Sequence, residues 1–165
     1  MPDMLKRLLL SFIFVSLANP AFAATGGLFG DLFGNHSSIE RSAVASGHLL
    51  ITIDISEQSM VVQDDDGVIY TWDVSTGRPG HATPKGTFRP IRMNEIWYSS
   101  KYENAPMPWS IFFHGGYAIH GTTDVKHLGH VASHGCVRLD PKNAKALYDL
   151  VDQVGMGNVK IQLVG

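Results

Sequence analysis

Cysteine is almost missing from this chain: Cys136 is the one thiol in 165 residues, so no internal disulfide can form. A leftover cysteine is either a small buried hydrophobe or a reactive thiol, and its neighbours must decide which. An excess of charge is missing too. Thirteen Lys and Arg stand against fifteen Asp and Glu, for a net charge of −2, and no basic stripe runs along the sequence. Nucleic acid is therefore not expected as a partner. There are no internal repeats. After Leu17 no long apolar run appears, and crossing a bilayer takes ~20 apolar residues, so no membrane span is expected in the mature protein.

The N-terminus carries instead an export pattern. Lys6 and Arg7 precede an apolar run from Leu8 to Leu17, and Ala18-Asn19-Pro20-Ala21-Phe22-Ala23 ends in small-x-small. A charged start, a short apolar core and an Ala-x-Ala end predict a secretory signal peptide over 1–23. With no cysteine at that site, lipid attachment is not expected. Residues 24–47 are rich in Gly, Ser and Ala, with Leu28-Phe29 and Leu32-Phe33 as isolated apolar pairs. They read as a flexible linker. A single domain is expected over 48–165.

Within it the patterning is mostly that of strands. Leu49 to Ile55, Met60 to Gln63, and Val68 to Val74 after an Asp65-Asp66-Gly67 turn are β-prone. Ser75 to Gly86, with three glycines and two prolines, must be loop. Phe88 opens another extended stretch. Ile96-Trp97-Tyr98, Ile111-Phe112-Phe113 and Tyr117 to His120 follow, the last two across a Gly115-Gly116 turn. One helix is expected from Pro141 to about Val154. Asp140 caps it, Pro141 suits its first position, and Ala144, Leu147, Tyr148, Val151 and Val154 share a face. Gly155 ends it, and Val159 to Leu163 alternate as a last strand. The fold class is mainly β with one packed α-helix near the C-terminus.

The chemistry concentrates in Ser133-His134-Gly135-Cys136-Val137-Arg138-Leu139, just before that helix. If the segment is extended, Val137 and Leu139 enter the core while Cys136 and Arg138 face a cleft. The apolar neighbours then claim the inward positions, which argues for the reactive thiol. Gly135 lets a substrate approach the backbone closely. A thiol with a pKa near ~8.5 needs a base or a positive neighbour. His134 is on the same side but cramped. His120, at a strand end, presents an imidazole in the way nucleophilic catalysis requires, and the carbonyl of Gly121 can orient its second nitrogen. The N–H groups of Gly135 and Cys136 lie where an oxyanion would develop.

His120-Gly121-Thr122 followed by Ser133 to Leu139 resembles the signature of the L,D-transpeptidases, with their YkuD-like catalytic domain. The likeness extends upstream through Val74 to Arg78 and His81 to Phe88, and downstream to Asn143-Ala144 and Leu147-Tyr148, so it covers His48 to Val164. It implies a β-rich sandwich or barrel-like fold with the cysteine in a covered groove. It also implies a reaction, in which Cys136 attacks a peptidoglycan stem tetrapeptide, D-alanine leaves, and a thioester remains. The amine of a second stem then resolves the thioester to a 3→3 cross-link. By position, Cys136 is the nucleophile, His120 the base and later the acid, and Gly121 the orienter. His134, Gly135 and Cys136 frame the oxyanion site, and Ser133 and Arg138 bind substrate, Arg138 through a carboxylate. No cofactor is implied. The partners are donor and acceptor stem peptides, in a periplasm, or in the cell wall if the envelope lacks an outer membrane.

Three rival readings remain. Five histidines lie between His114 and His134, and His127 and His130 are three apart, a spacing that suits zinc on a helix. Leu128-Gly129 between them disfavours a helix and no acidic cluster accompanies them, so no metal is expected. A wall-binding module without turnover would not need the Cys, His and Gly set. The same thioester also admits water as acceptor, giving a carboxypeptidase, or the amine of an outer-membrane protein, giving attachment.

Overall fold

The computed structural model describes residues 47–165. The expected signal peptide and all but the last residue of the expected linker lie outside them.

Two sheets and one helix make up the described part. In β1 (Leu49–Asp54), Leu49, Ile51 and Ile53 are buried while the intervening residues are half-exposed. This period of two lets one face join a core. A tight turn leads to β2 (Ser59–Asp64), where Met60 and Val62 are buried. Asp64 Oδ1 then accepts the N–H groups of Asp66 (2.9 Å) and Gly67 (3.1 Å), folding the chain back into β3 (Gly67–Asp73). The first sheet has the order β3-β2-β1-β9-β4, with β4 at Gly86–Phe88 and β9 at Val159–Val164. β1 pairs parallel with β9. The first and last strands are thus neighbours, and everything between, including the helix, forms the crossover that parallel pairing requires.

The second sheet has the order β5-β6-β7-β8: β5 at Arg92–Ser99, β6 at Ala105–His114, β7 at Tyr117–Gly121 and β8 at Val137–Leu139. The long β5–β6 hairpin exceeds the short strands expected around Ile96 and Ile111. Its first half was obscured by Pro106 and Pro108, which argue against a strand because each lacks an N–H; both lie in register opposite Tyr98 and Ile96.

Helix α1 (Pro141–Val154) begins and ends as the sequence predicts. Asp140 accepts the N–H of Lys142 at 2.9 Å, Pro141 opens the first turn, and Gly155 (φ 81°) closes the last. Ala144, Leu147, Leu150, Val151 and Val154 are buried. Tyr148 is only half-buried and meets Trp109 edge to face, 5.5 Å between centroids. One core joins both sheets and the helix through Ile51 and Ile161, Ile111 and Ile119, Val137 and Leu147. Each such buried side chain contributes roughly 1.5–3 kcal/mol. The architecture is mainly β with two sheets and one helix near the C-terminus, as expected.

Candidate active site

β7 and β8 pair parallel, Ile119 opposite Val137 and His120 opposite Arg138. Ile119 and Val137 are buried in the main core. Alternation then turns Ala118, His120 and Arg138 to the other face. There Met107, Phe112 and Ala118 form a second small apolar cluster, with Trp97 and Cys136 packed against it. A cavity of about 450 Å³ opens on this face, and Cys136, His120, His134 and Arg138 all line it.

The turn that carries Cys136 is clamped by two hydroxyls. Ser133 Oγ donates to the carbonyl of Cys136 (2.6 Å) and accepts the N–H of Gly135 (2.9 Å). Thr83 Oγ1 donates to the carbonyl of Gly135 (2.8 Å) and accepts the N–H of Gly77 (2.9 Å), tying the 75–86 loop to the turn. Thr76 joins the same seam through Gln58, whose Nε2 donates to Thr76 Oγ1 at 2.6 Å. Ser75 and Arg138 exchange backbone hydrogen bonds at 2.9 and 3.0 Å, which holds the three-residue β8 in place. Gly135 has φ 113°, and a Cβ there would lie 2.6 Å from the Tyr117 ring, so this corner admits glycine.

Two expectations change here. Ser133, expected to bind substrate, borders the cavity but is fully buried with its hydroxyl engaged on both sides, and in this arrangement it holds the turn together. The Gly135 N–H, read as an oxyanion donor, already serves Ser133 Oγ, and an oxyanion would have to displace that hydroxyl.

The two histidines are told apart by their partners. His120 is buried, and its Nδ1 meets the Gly121 carbonyl at 2.8 Å. A carbonyl only accepts, so Nδ1 carries the hydrogen and the lone pair of Nε2 is left free. At His134, Nε2 lies 2.6 Å from Arg78 Nη2. A guanidinium only donates, so that nitrogen accepts and the other carries the hydrogen. His134 is further held by stacking on Tyr102 (4.5 Å between centroids, 27°) and by His81 edge-on at 4.7 Å. It walls the cavity and has no free lone pair to act as a base.

Burial lowers the His120 pKa to about 4; the hydrogen bond to Gly121 raises it and the charge of Arg138 lowers it further, both less strongly. Burial pushes the Cys136 thiol up, against a backbone hydrogen bond from Ala118 and the positive charge of Arg138. Both groups are therefore neutral at pH 7, a protonated thiol and an imidazole able to accept a proton, lining one cavity. The thiol also lies 3.9 Å from the Gly116 carbonyl. Arg138 Nη1 is 3.7 Å from Asp124 Oδ2, and that carboxylate also takes His127 Nδ1 at 2.7 Å. His127, whose spacing from His130 was weighed for zinc and set aside, bonds Asp124 at the turn Val125–His127.

Reading residues alone did not single out Thr83, Tyr102, Trp97 or Arg92. Phe112 and Met107 are five apart, as are Arg92 and Trp97, and in a regular strand each pair would face opposite ways. The hairpin register skips the pair Glu95 and Trp109, and Trp109 has φ 57°. This left-handed residue inverts the faces, bringing all four side chains to the cavity.

The model of the L,D-transpeptidase catalytic domain (YkuD) matches residues 49–161. YciB of Bacillus subtilis (strain 168), which its name places among the L,D-transpeptidases, is 32% identical over 122 residues, 64% of this chain and 62% of YciB. The solved L,D-transpeptidase from Mycobacterium smegmatis superposes with a TM-score of 0.66 at 25% identity, over 73% of this chain and 60% of that one. The one from Stackebrandtia nassauensis does so with a TM-score of 0.64 at 28% identity, over 79% and 62%. The chain spans about three fifths of the length of these relatives. Among the described residues no helix is long and apolar enough to cross a membrane.

Proposed function

The chain belongs to the L,D-transpeptidase catalytic-domain family, and from that premise we propose an exported peptidoglycan L,D-transpeptidase in which Cys136 is the nucleophile and His120 its base. The observation that carries this reading is the pair on one cavity: a lone thiol, and an imidazole whose free Nε2 is set by the bond from Nδ1 to Gly121. Because both groups rest neutral, the proton moves as the bond forms. His120 Nε2 takes the thiol proton while sulfur attacks the carbonyl before the terminal D-alanine of a stem tetrapeptide. The tetrahedral oxyanion takes the Cys136 N–H, joined by the Gly135 N–H once Ser133 Oγ yields. Its collapse breaks the C–N bond, the imidazolium protonates the departing D-alanine amine, and a thioester remains. The amine of a second stem attacks that thioester, giving its proton to His120. The C–S bond then breaks and sulfur recovers the proton, leaving a 3→3 cross-link. Arg138 attracts a substrate carboxylate, in competition with Asp124.

Residues 1–23 direct export and 24–47 tether the domain, placing it with its substrate in the periplasm. The test is to incubate the mature protein with purified disaccharide-tetrapeptide, with and without an acceptor stem, and weigh the products. A cross-linked dimer lacking one D-alanine is expected. A tripeptide product alone makes the protein a carboxypeptidase, and no release of D-alanine overturns the reading.

A further inference from the structure

Cations outnumber acids around the cavity: Arg92, Lys101 and Arg138 line it with Asp124. Arg138 lies near that one carboxylate, and the Lys101 ammonium sits over the Tyr102 ring at 5.4 Å. Arg92 differs from both. Its guanidinium carbon is 4.0 Å from the centroid of Phe112 and 4.3 Å from that of Trp97, and these rings stand edge to face at 83°, 5.6 Å apart. Among the described residues the ion pairs are His48–Asp65, Asp124 with His127 and Arg138, and Lys145–Asp149, so no carboxylate answers Arg92.

We propose that Arg92, packed against Trp97 and Phe112, anchors a carboxylate of the bound substrate, so that the site selects anionic peptides. The guanidinium packs against these two nearly perpendicular rings and is in no ion pair among the described residues, and its N–H fork matches a carboxylate two bonds at a time. Contact with both rings restricts the otherwise exposed side chain before the ligand arrives, which lowers the entropy lost on binding. The placement is specific to the cavity. Phe112 packs with Ala118 and Cys136 in the same small cluster, so the anchor stands over the wall that carries the thiol. It goes with the break in the hairpin pairing at Glu95 and Trp109, since a regular β5 would point Arg92 and Trp97 to opposite sides. The proposal rests on the peptide substrate proposed above, and two carboxylates of such a peptide fit it, one at the C-terminal D-alanine and one on a side chain within the stem.

Binding to a Cys136→Ala protein tests this without turnover. Three versions of one tetrapeptide are titrated: the free acid, its C-terminal amide, and a form with the interior carboxylate amidated. The free acid is expected to bind about tenfold more tightly than one of the amides. Arg92→Gln, which keeps much of the stem and loses the charge, is expected to erase that preference, and Arg92→Lys to restore part of it. The amide on which Arg92→Gln has no effect identifies the carboxylate. Equal weakening of all three peptides by Arg92→Gln makes Arg92 structural and overturns the proposal, as does no weakening at all. The two readings separate cleanly. If the wild-type protein turns over stem peptide without an acid preference, the anchor falls alone. If it turns over nothing while the Arg92-dependent preference persists, the anchor stands and the transpeptidase reading falls.

Discussion

On one face of β7, Ile119 packs against Ile111 and Val137 in the core shared by both sheets and α1; on the other, Ala118 packs with Met107 and Phe112 and His120 lines the cavity. Both faces are removed from water, and the consequences are opposite. The core face holds only apolar groups, so its burial is converted into stability. On the cavity face the same desolvation falls on an imidazole and a thiol, moving the His120 pKa down to about 4 and the Cys136 pKa up. Burial there works against the fold and for the chemistry, since it leaves a neutral base and a neutral nucleophile on one cavity.

Substitutions on the two faces should therefore separate. Cys136→Ala and His120→Ala should each lower D-alanine release by about a thousandfold or more, with the melting temperature at pH 7.5 little changed. Release at the normal rate by either variant would remove the cavity face from the chemistry. Ile119→Ala, one residue away from His120, should instead cost about 2–5 kcal/mol in urea unfolding. A loss below 1 kcal/mol would show that the core face is not tightly packed.

The third test uses pH. His120 has a folded pKa of about 4 against 6.5 for a free histidine, so the unfolded chain binds its proton first as pH falls. Stability from this group is whole above pH 6.5 and lost between 6.5 and 4, by about 3 kcal/mol. His120→Gln should abolish that part of the loss, read as the difference between wild-type and variant unfolding free energies at pH 7.5 and 4.5. Parallel losses in both proteins would mean that the imidazole is not desolvated. Ser133→Ala should have the smallest effect, leaving the Gly135 N–H without its partner at a cost of about 1–3 kcal/mol. If it instead raises KM with stability unchanged, the hydroxyl meets substrate after all.

The core face was largely legible in the sequence, because strands such as Leu49–Asp54 and Val159–Val164 bury every second residue and the helix carries both of its end signals. The cavity face was legible only where chemistry is written locally. Cys136 and Arg138 alternate with Val137 and Leu139, which suffices to turn them outward. The sequence favoured His120 over His134 on strand placement alone; that Arg78, distant in sequence, occupies the second imidazole could not be read there. The clamp role of Ser133 was not read, although a serine hydroxyl bonding the N–H two residues on is a known local pattern. Arg92 and Trp97 gave no signal at all. Periodicity assigns them to opposite faces, and only the left-handed Trp109 brings them together.

The central claim is that Cys136 forms an acyl bond with the stem peptide. Intact mass and peptide mapping of the mature protein, quenched within the first turnover on disaccharide-tetrapeptide, test it most directly. The account predicts an adduct of the donor less D-alanine on the peptide holding Cys136, absent in Cys136→Ala and slow to form in His120→Ala. D-alanine released with no adduct at any time, or an adduct mapped to another residue, would contradict it.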